Sequence, residues 1–159
     1  MNPVRIGLLG LGTVGGGTVN VLRRNNEEIA RRAGRAIHVV QASARSLDKE
    51  RICSTEGIEL TTDSSAVVRN PEVEEQLLRS PSSDSSAVVR NPEVEVIVEL
   101  MGGIEPARTL VLEAIANGKH VVNANKALIA LHGNEIFARA TEAGVMVAFE
   151  SAVAGGIPI

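Results

Sequence analysis

The stretch Val-Arg-Ile-Gly-Leu-Leu-Gly-Leu-Gly-Thr-Val-Gly-Gly-Gly, residues 4–17, decides the fold of this chain. An apolar run with β character breaks at glycines with the spacing G-x-G-x-x-G, namely Gly10, Gly12 and Gly15, and then becomes a helical pattern. Gly10 permits a sharp turn out of the strand, Gly12 lets a pyrophosphate approach the backbone, and Gly15 lets the helix pack closely on the strand. The free N–H groups and the dipole at the helix start favour a phosphate there. The stretch therefore predicts a dinucleotide-binding turn, against the alternative of a glycine turn that binds nothing.

The residues of this turn that are predicted to contact the cofactor are the three glycines together with Leu11, Thr13 and Val14.

The composition argues against several classes of protein. The 159 residues are 44% apolar and carry a net charge of −3, with no Trp or Tyr and with Phe137 and Phe149 as the only aromatic residues. We expect one domain with an aliphatic core that binds neither single-stranded nucleic acid by stacking nor a phosphate backbone. Cys53 is the only cysteine, which argues against a disulfide framework or a cysteine metal site. No run is apolar enough for a membrane span and no signal peptide is evident, so a cytoplasmic location is expected by elimination.

Strand and helix patterns alternate along the chain. A single long helix is predicted over Thr13–Arg32, with Gly34 as its C-cap and an apolar side formed by Val14, Thr18, Val21 and Leu22. Further strands are predicted at 37–44, 57–61, 95–100, 121–122 and 145–149. Further helices are predicted from Pro106, at the first helical position, to Gly118 and over 127–143, interrupted at Gly133 and capped by Gly144. The alternation predicts an α/β fold, a doubly wound parallel sheet that forms one Rossmann-type dinucleotide-binding domain over residues 1–159.

Polar and glycine-rich segments follow several of the predicted strands. In an open parallel sheet, ligands bind beyond the carboxyl ends of the strands. The segments expected at that edge are Gly10–Val14, Arg45, Met101–Gly103, Asn123–Lys126 and Glu150. Within them, the residues predicted to lie beside the cofactor on the later strands are Met101, Gly102, Gly103, Asn125 and Lys126.

The end of the second predicted strand bears on the choice of cofactor. An NAD-specific fold usually places an acid there for the ribose 2′-hydroxyl. This chain has Ala-Ser-Ala-Arg-Ser at 42–46, and no acid appears before Asp48. Arg45, with Ser46 and Lys49 nearby, suits a 2′-phosphate better and predicts NADP as the cofactor, with NAD as the second choice. The alternative is that Arg45 is an ordinary solvated arginine of an exposed loop.

A segment of twelve residues occurs twice in the chain. The segment Asp63–Glu74 is identical to Asp84–Glu95, 21 positions later, inside an otherwise unrepeated sequence. Structural repeats drift in sequence and come in several copies, so we interpret the duplication as an insertion. The residues after each Asn-Pro differ, and they predict a helix at Glu72–Glu74 but an approach to a strand at Glu93–Glu95.

Four segments together resemble homoserine dehydrogenase, an NAD(P)-dependent enzyme family of the aspartate pathway, which leads to threonine and methionine. The matching segments are 6–15, 98–107, 118–128 and 149–158. The resemblance implies hydride transfer between L-homoserine and L-aspartate 4-semialdehyde, as small-molecule substrate and product. It also implies a catalytic role for Lys126, in the family's Asn-Lys loop, where a buried ammonium could polarise the substrate oxygen or help to move its proton. From the residues alone, a lone loop lysine is more often just solvated.

The resemblance implies two further features. Glu150, Val153, Gly155 and Ile157 match a loop in which a carboxylate and backbone carbonyls hold Na⁺ or K⁺; from the residues alone, 152–156 is a small-residue hinge. The family continues into a substrate and dimerisation domain, so 151–159 is expected to begin the link to it. The full-length protein is then expected to be a homodimer, and this fragment alone is expected to bind cofactor without efficient turnover.

Other functions remain open from the residues. A non-catalytic dinucleotide-binding sensor or regulatory module would suit the same length, although it needs no lysine in the Asn125-Lys126 loop. Another amino-acid-pathway dehydrogenase, such as aspartate dehydrogenase or dihydrodipicolinate reductase, is a third interpretation. The segments Met-Gly-Gly-Ile-Glu-Pro at 101–106 and Ala-Gly-Gly-Ile-Pro at 154–158 favour the homoserine family over these.

Overall fold

The computed structural model describes residues 2–62, 93–149 and 151. The elements in chain order are β1 (Val4–Leu9), α1 (Thr13–Arg24), α2 (Asn26–Ala33), β2 (Ile37–Ser43), β3 (Glu59–Thr61), β4 (Val96–Glu99), α3 (Ala107–Ala116), β5 (His120–Asn123), α4 (Lys126–Ala143) and β6 (Val147–Ala148). Within these ranges, no helix has both the length and the apolar character that crossing a bilayer requires.

The six described strands form one parallel sheet in the order β3-β2-β1-β4-β5-β6. The strand β1 lies between β2 and β4, so that its last residue, Leu9, pairs with Ser43 on one side and with Glu99 on the other. The chain builds the sheet outward in both directions from β1, which makes the gap between β1 and β4 the topological switch point. The predicted doubly wound parallel sheet is confirmed.

Both faces of the sheet are covered by aliphatic side chains, because alternate residues of a strand point to opposite faces. On one face, Leu9 and Ile97 pack in a cluster with buried side chains of α3 and α4. On the other face, Ile6 and Leu8 pack with Val19 of α1. Cys53 and Ile58, from the loop between β2 and β3, complete this second cluster. The glycine loop therefore leaves a strand that is buried on both sides.

The prediction of one helix over Thr13–Arg32 is wrong. The helix breaks at Asn25, which leaves helical geometry (φ −107°, ψ 19°) and directs both its backbone N–H and its side-chain Nδ2 at the carbonyl of Val21. This arrangement closes α1, and α2 starts at the next residue. The predicted C-cap is confirmed, since Gly34 ends α2 in the left-handed conformation (φ 75°).

The predicted apolar side of α1 is confirmed only at Leu22, which packs against the second cluster. Val14 is 61% exposed and Val21 is 46% exposed. The buried residues of α1 are instead Gly15, Gly16 and Val19. The smallest residues face the protein because the backbone of α1 lies close to the glycine loop on one side and to the loop after β2 on the other.

Several predicted boundaries shift by a few residues. Pro106 is the N-cap of α3 rather than its first residue, and α4 begins at Lys126 and runs through Gly133 without interruption. The last strand is reduced from 145–149 to Val147–Ala148. In the duplicated segment, the described residues Glu93–Glu95 lead directly into β4, as expected, whereas the predicted helix at Glu72–Glu74 lies outside the described residues.

Candidate functional site

The turn between β1 and α1 is built around Gly10. Gly10 has a positive φ of 98°, and a Cβ there would lie 3.3 Å from the carbonyl oxygen of Leu100. The buried Ser43, at the end of β2, holds the turn from the other side: its Oγ accepts a hydrogen bond from the Gly10 N–H (3.3 Å), and its carbonyl accepts one from the Leu11 N–H (3.0 Å). The glycine turn is thus wedged between β2 and β4, and only glycine fits this conformation readily.

Gly12 and Gly15 have opposite surroundings. A Cβ on Gly12 would meet no atom within 4 Å, whereas a Cβ on Gly15 would lie 2.2 Å from the carbonyl oxygen of Gly10. Gly12 is also the N-cap of α1, where no side chain caps the helix and no acid lies in the first turn. The exposed residues Thr13 and Val14 follow it. The start of α1 therefore offers unused N–H groups, with open space beside Gly12, which fits the pyrophosphate of a dinucleotide.

Arg45 lies just beyond the end of β2. It is exposed, and it makes no hydrogen bond or ion pair with any described residue. The acid that follows it in the chain, Asp48, is exposed in the same loop. The predicted reader of a 2′-phosphate is thus at the carboxyl edge of the sheet, with its guanidinium free to meet an anion.

Glu99 is a buried acid at the carboxyl end of β4 that the sequence analysis did not single out. It is 0% exposed, and its Oε1 accepts a hydrogen bond from the Met101 N–H (2.7 Å). Burial raises the pKa of the Glu99 carboxyl, while the hydrogen bond from Met101 acts in the opposite direction. The next residues, Gly102 and Gly103, are exposed and both have positive φ (74° and 80°). Glu99 therefore anchors the base of the predicted Met101–Gly103 turn. A charged residue inside an apolar strand pattern is a sequence signal that could have revealed it.

Asn125 joins this turn to the start of α4. Its side-chain Oδ1 accepts a hydrogen bond from the Leu128 N–H (3.2 Å), and its Nδ2 donates to the carbonyl of Gly103. The Asn125 N–H in turn donates to Oδ1 of Asn123, at 2.7 Å. Asn125 is therefore an N-cap that also holds the neighbouring turn in place, rather than a side chain turned toward solvent.

Lys126 is the first residue of α4, and the ammonium to which the resemblance gives a buried setting is exposed within the described residues. The side chain is exposed and forms no hydrogen bond or ion pair with the described residues. No residue in the described part of the chain packs over it, which is the reason for its exposure. The preceding residue, Asn125, is the N-cap of the helix that Lys126 begins.

The predicted site residues lie along one edge of the sheet, in the order Arg45, glycine loop, Met101–Gly103 turn and Lys126. Because neighbouring strands are about 4.8 Å apart, Arg45 beyond β2 and Lys126 beyond β5 are separated by roughly 14 Å across the sheet. The predicted cation ligands, Glu150, Val153, Gly155 and Ile157, lie outside the described residues. Among the residues that are described, no cluster of three or more His, Cys, Asp or Glu side chains could hold a metal ion.

A parallel sheet with an uncapped helix start and an open glycine at its switch point defines a dinucleotide-binding domain. Residues 10–150 match the family model described as homoserine dehydrogenase, NAD binding domain. The chain belongs to that family, and its cofactor class is a nicotinamide dinucleotide.

Known relatives are similar over the whole chain. It is 55% identical over 159 residues to homoserine dehydrogenase of Pseudomonas aeruginosa and 48% identical over 160 residues to that of Neisseria gonorrhoeae, covering 100% of this chain in each case and 31% and 32% of the relatives. The crystal structure of a homoserine dehydrogenase from Thiobacillus denitrificans matches with a TM-score of 0.78 at 55% identity, over 99% of this chain and 32% of that chain. The homoserine dehydrogenase of S. aureus at pH 8.5 matches with a TM-score of 0.75 at 33% identity, over 98% of this chain and 34% of that chain. This chain thus spans about a third of the length of these relatives.

Proposed function

We propose that this chain binds NADP(H), with NAD(H) as the weaker ligand, and forms the cofactor-binding part of an enzyme that interconverts L-homoserine and L-aspartate 4-semialdehyde. The observation that carries the proposal is the uncapped start of α1 beside Gly12, where a Cβ would meet nothing within 4 Å. The relatives named homoserine dehydrogenase supply the substrate class. The nicotinamide would supply hydride transfer, and the residues of this chain bind and orient it.

Arg45 is proposed to bind the 2′-phosphate of NADP. The proposal is supported by its place beyond β2, by its exposure, and by its lack of any partner among the described residues. A guanidinium can donate two parallel hydrogen bonds to a phosphate, and such charge-assisted contacts weaken as salt is added. NAD lacks this phosphate, so Arg45 is the residue proposed to separate the two cofactors.

Lys126 is proposed to act on the substrate oxygen. A cation at the first residue of a helix lies next to the positive end of the helix dipole, which disfavours it. Helix stability therefore does not account for a lysine at this position, whereas an ammonium near the nicotinamide could hold or move a proton at the substrate's oxygen. In the full-length enzyme, Glu150, Val153, Gly155 and Ile157 are proposed to bind Na⁺ or K⁺ through oxygen atoms, and the enzyme is proposed to be a homodimer.

Calorimetric titration of the chain with NADPH and with NADH tests the proposal. We expect NADPH to bind more tightly, and Arg45→Ala to weaken NADPH binding by about 10- to 100-fold, because hydrogen bonds to charged groups contribute about 1.5–3 kcal/mol. NADH binding should change by less than about twofold, since NADH has no 2′-phosphate for Arg45 to contact. The matched control is Arg24→Ala, which removes an exposed arginine at the far end of α1.

Two results would contradict the proposal. If neither cofactor binds the folded chain, the cofactor-binding role is wrong. If Arg45→Ala leaves the ratio of NADPH to NADH affinity unchanged, the chain still binds a dinucleotide but Arg45 does not read the 2′-phosphate.

A further inference from the structure

The loop between β2 and β3, residues 44–58, is attached to α1 by side chains that donate to its backbone carbonyls. Asn20 Nδ2 donates to the carbonyl of Ile52 (2.9 Å), and Arg23 donates to the carbonyls of Ser54 (2.8 Å) and Glu56 (2.6 Å). Gly16 gives the loop room, since a Cβ there would lie 2.7 Å from Ile52 Cγ1. The loop that carries Arg45 is therefore fixed against the helix that starts at the glycine turn.

Arg51 makes the connection nearest to the cofactor site. Its Nη1 donates to the carbonyl of Leu11 in the glycine loop (2.7 Å), and its Nη2 donates to the carbonyl of Ser46, the residue after Arg45. One guanidinium thus joins the loop proposed to hold the pyrophosphate to the loop proposed to hold the 2′-phosphate. A planar fork with two engaged N–H groups fixes both the separation and the orientation of the groups that it joins.

The peptide geometry makes these contacts directional. In a planar trans peptide, the carbonyl and the following N–H point in opposite directions. Holding the Leu11 carbonyl toward Arg51 therefore turns the Gly12 N–H away from it, and holding the Ser46 carbonyl keeps that oxygen's negative charge beside Arg51. Without Arg51, neither carbonyl would have this hydrogen bond to fix its direction.

We propose that Arg51 is a positioning residue that determines cofactor specificity, because it sets the distance between the glycine loop and Arg45 and so allows Arg45 to meet the 2′-phosphate of a bound NADP. The inference rests on the proposed function, since it needs a dinucleotide in this site. Arg51 does not touch the 2′-phosphate in this proposal; it acts through Arg45. Its loss should therefore weaken NADPH binding in two ways, one shared with NADH through the glycine loop and one that depends on Arg45.

A double-mutant cycle separates the two effects. The affinities of NADPH and NADH are measured by calorimetry for the wild type, Arg45→Ala, Arg51→Gln and the double variant. We expect the two substitutions to be coupled by at least about threefold for NADPH, since residues that act as a unit are not additive, and by less than about 1.5-fold for NADH. Equal, uncoupled effects on NADPH would overturn the inference while leaving the proposed function intact. A wild type that binds neither cofactor would overturn both.

Two more variants complete the test. Arg51→Lys keeps the charge but loses the planar fork, so it should behave like Arg51→Gln; a wild-type ratio of NADPH to NADH affinity in Arg51→Lys would show that charge alone matters and would overturn the positioning role. Arg23→Gln is the matched control, because it removes carbonyl contacts at the other end of the same loop. It should leave the affinity ratio within about twofold of the wild type, and a drop as large as that of Arg51→Gln would overturn the specific role of Arg51. Circular dichroism checks that each variant is folded. If Arg51→Gln does not fold, the ratio of NADPH to NADH affinity in Arg51→Lys decides whether Arg51 has a positioning role.

Discussion

Gly12 and Gly15 lie three residues apart in one loop, yet an added methyl group would meet very different surroundings. At Gly12 the space is open, and at Gly15 it contains the carbonyl oxygen of Gly10 at 2.2 Å. Neither residue has a positive φ. The reason for glycine is therefore steric at both positions, but the neighbour is the protein itself at Gly15 and the proposed ligand at Gly12.

This difference predicts that two alanine variants separate stability from binding. Gly15→Ala should destabilise the fold by about 1–3 kcal/mol, the usual range for an overpacked site, because backbone atoms must move. Gly12→Ala should change stability by less than about 1 kcal/mol, since its φ of −86° suits alanine. It should nevertheless weaken NADPH binding more than tenfold, because the new Cβ occupies the path of the pyrophosphate.

Urea unfolding and calorimetric titration measure the two effects. The matched control is Gly17→Ala, at another position of α1 where a Cβ would meet nothing within 4 Å. Gly12→Ala with wild-type affinity would show that no phosphate approaches the backbone there.

The roles of individual residues were predictable where one short segment contains both the residue and its reason. The three motif glycines are an example, since the strand–turn–helix pattern around them is local. The roles of Ser43 and Arg51 were not predictable, because they hold backbone atoms of Gly10 and Leu11 that lie 33 and 40 positions away in the chain. Neither residue type carries a signal for a contact of this kind.

At the scale of elements, the pattern of apolar and polar residues predicted which segments are helices and which are strands. It was less informative about where a helix breaks. The break between α1 and α2 depends on the single residue Asn25, whose side chain competes for the carbonyl of Val21. An asparagine in a helical pattern is weakly unfavourable and does not by itself predict a break. Gly34 and Gly144 end α2 and α4 as predicted, because a left-handed C-cap selects glycine for a local reason.

The two acids at either end of β4 have opposite titration behaviour. Glu95 precedes the strand, and its hydrogen bond from Arg35 lowers the pKa of its carboxyl below the usual 4.5. Glu99 ends the strand, and its burial raises the pKa of its carboxyl above 4.5. Glu95 thus contributes stability above about pH 4.5 that is lost as the pH falls. Ionisation of Glu99 lowers the stability of the fold as the pH rises from about 4.5 through its raised pKa. The reason is that the folded state binds the carboxyl proton more tightly than the unfolded state does.

The stabilities of Glu95→Gln and Glu99→Gln, each compared with the wild type, should therefore change with pH in opposite directions. As the pH rises from about 4 to about 8, the melting temperature of Glu99→Gln should rise relative to the wild type; as it rises from about 3 to about 5, that of Glu95→Gln should fall relative to the wild type. Glutamine at 99 can still accept the Met101 N–H, so its fold should be intact. Thermal melts followed by circular dichroism measure both series. Parallel trends in the two variants would contradict the assignment of opposite shifts.

At the scale of the whole molecule, the order of strands brings the site together. Arg45, the glycine loop, the Met101–Gly103 turn and Lys126 are far apart in the chain, and parallel strands place them at one edge. This arrangement was predictable from the alternation of strands and helices. The exposure of Lys126 agrees with what a lone loop lysine predicts from the residues alone. Whether another part of a longer chain covers it was not predictable, because one segment does not contain that information.

The relatives are about three times as long as this chain, and the reaction needs a positioned substrate as well as a cofactor. We therefore predict that the 159-residue chain, assayed alone with homoserine and NADP, turns over far more slowly than the roughly 10 s⁻¹ of a typical enzyme. A steady-state assay that follows NADPH absorbance measures this rate. Calorimetry on the same sample is the control, since it shows that the cofactor is bound. Turnover in the ordinary range would mean that the residues of this chain suffice to orient the substrate.

The pair formed by Phe137 on α4 and Phe149 after β6 makes the last part of the sheet visible to spectroscopy. The ring centroids are 4.9 Å apart and the planes are tilted by 42°. Because the chain has no Trp or Tyr and only these two Phe residues, its aromatic NMR signals other than those of histidine come from these two rings. The same two rings are the main aromatic source of its near-ultraviolet dichroism. Because the chain has no Trp or Tyr, a bound reduced nicotinamide would receive no excitation energy by transfer from indole or phenol rings, and its emission would come from direct excitation alone. Phe149 directly precedes the segment proposed to bind the monovalent cation, and its ring signals would therefore report whether Na⁺ or K⁺ rearranges that end of the molecule.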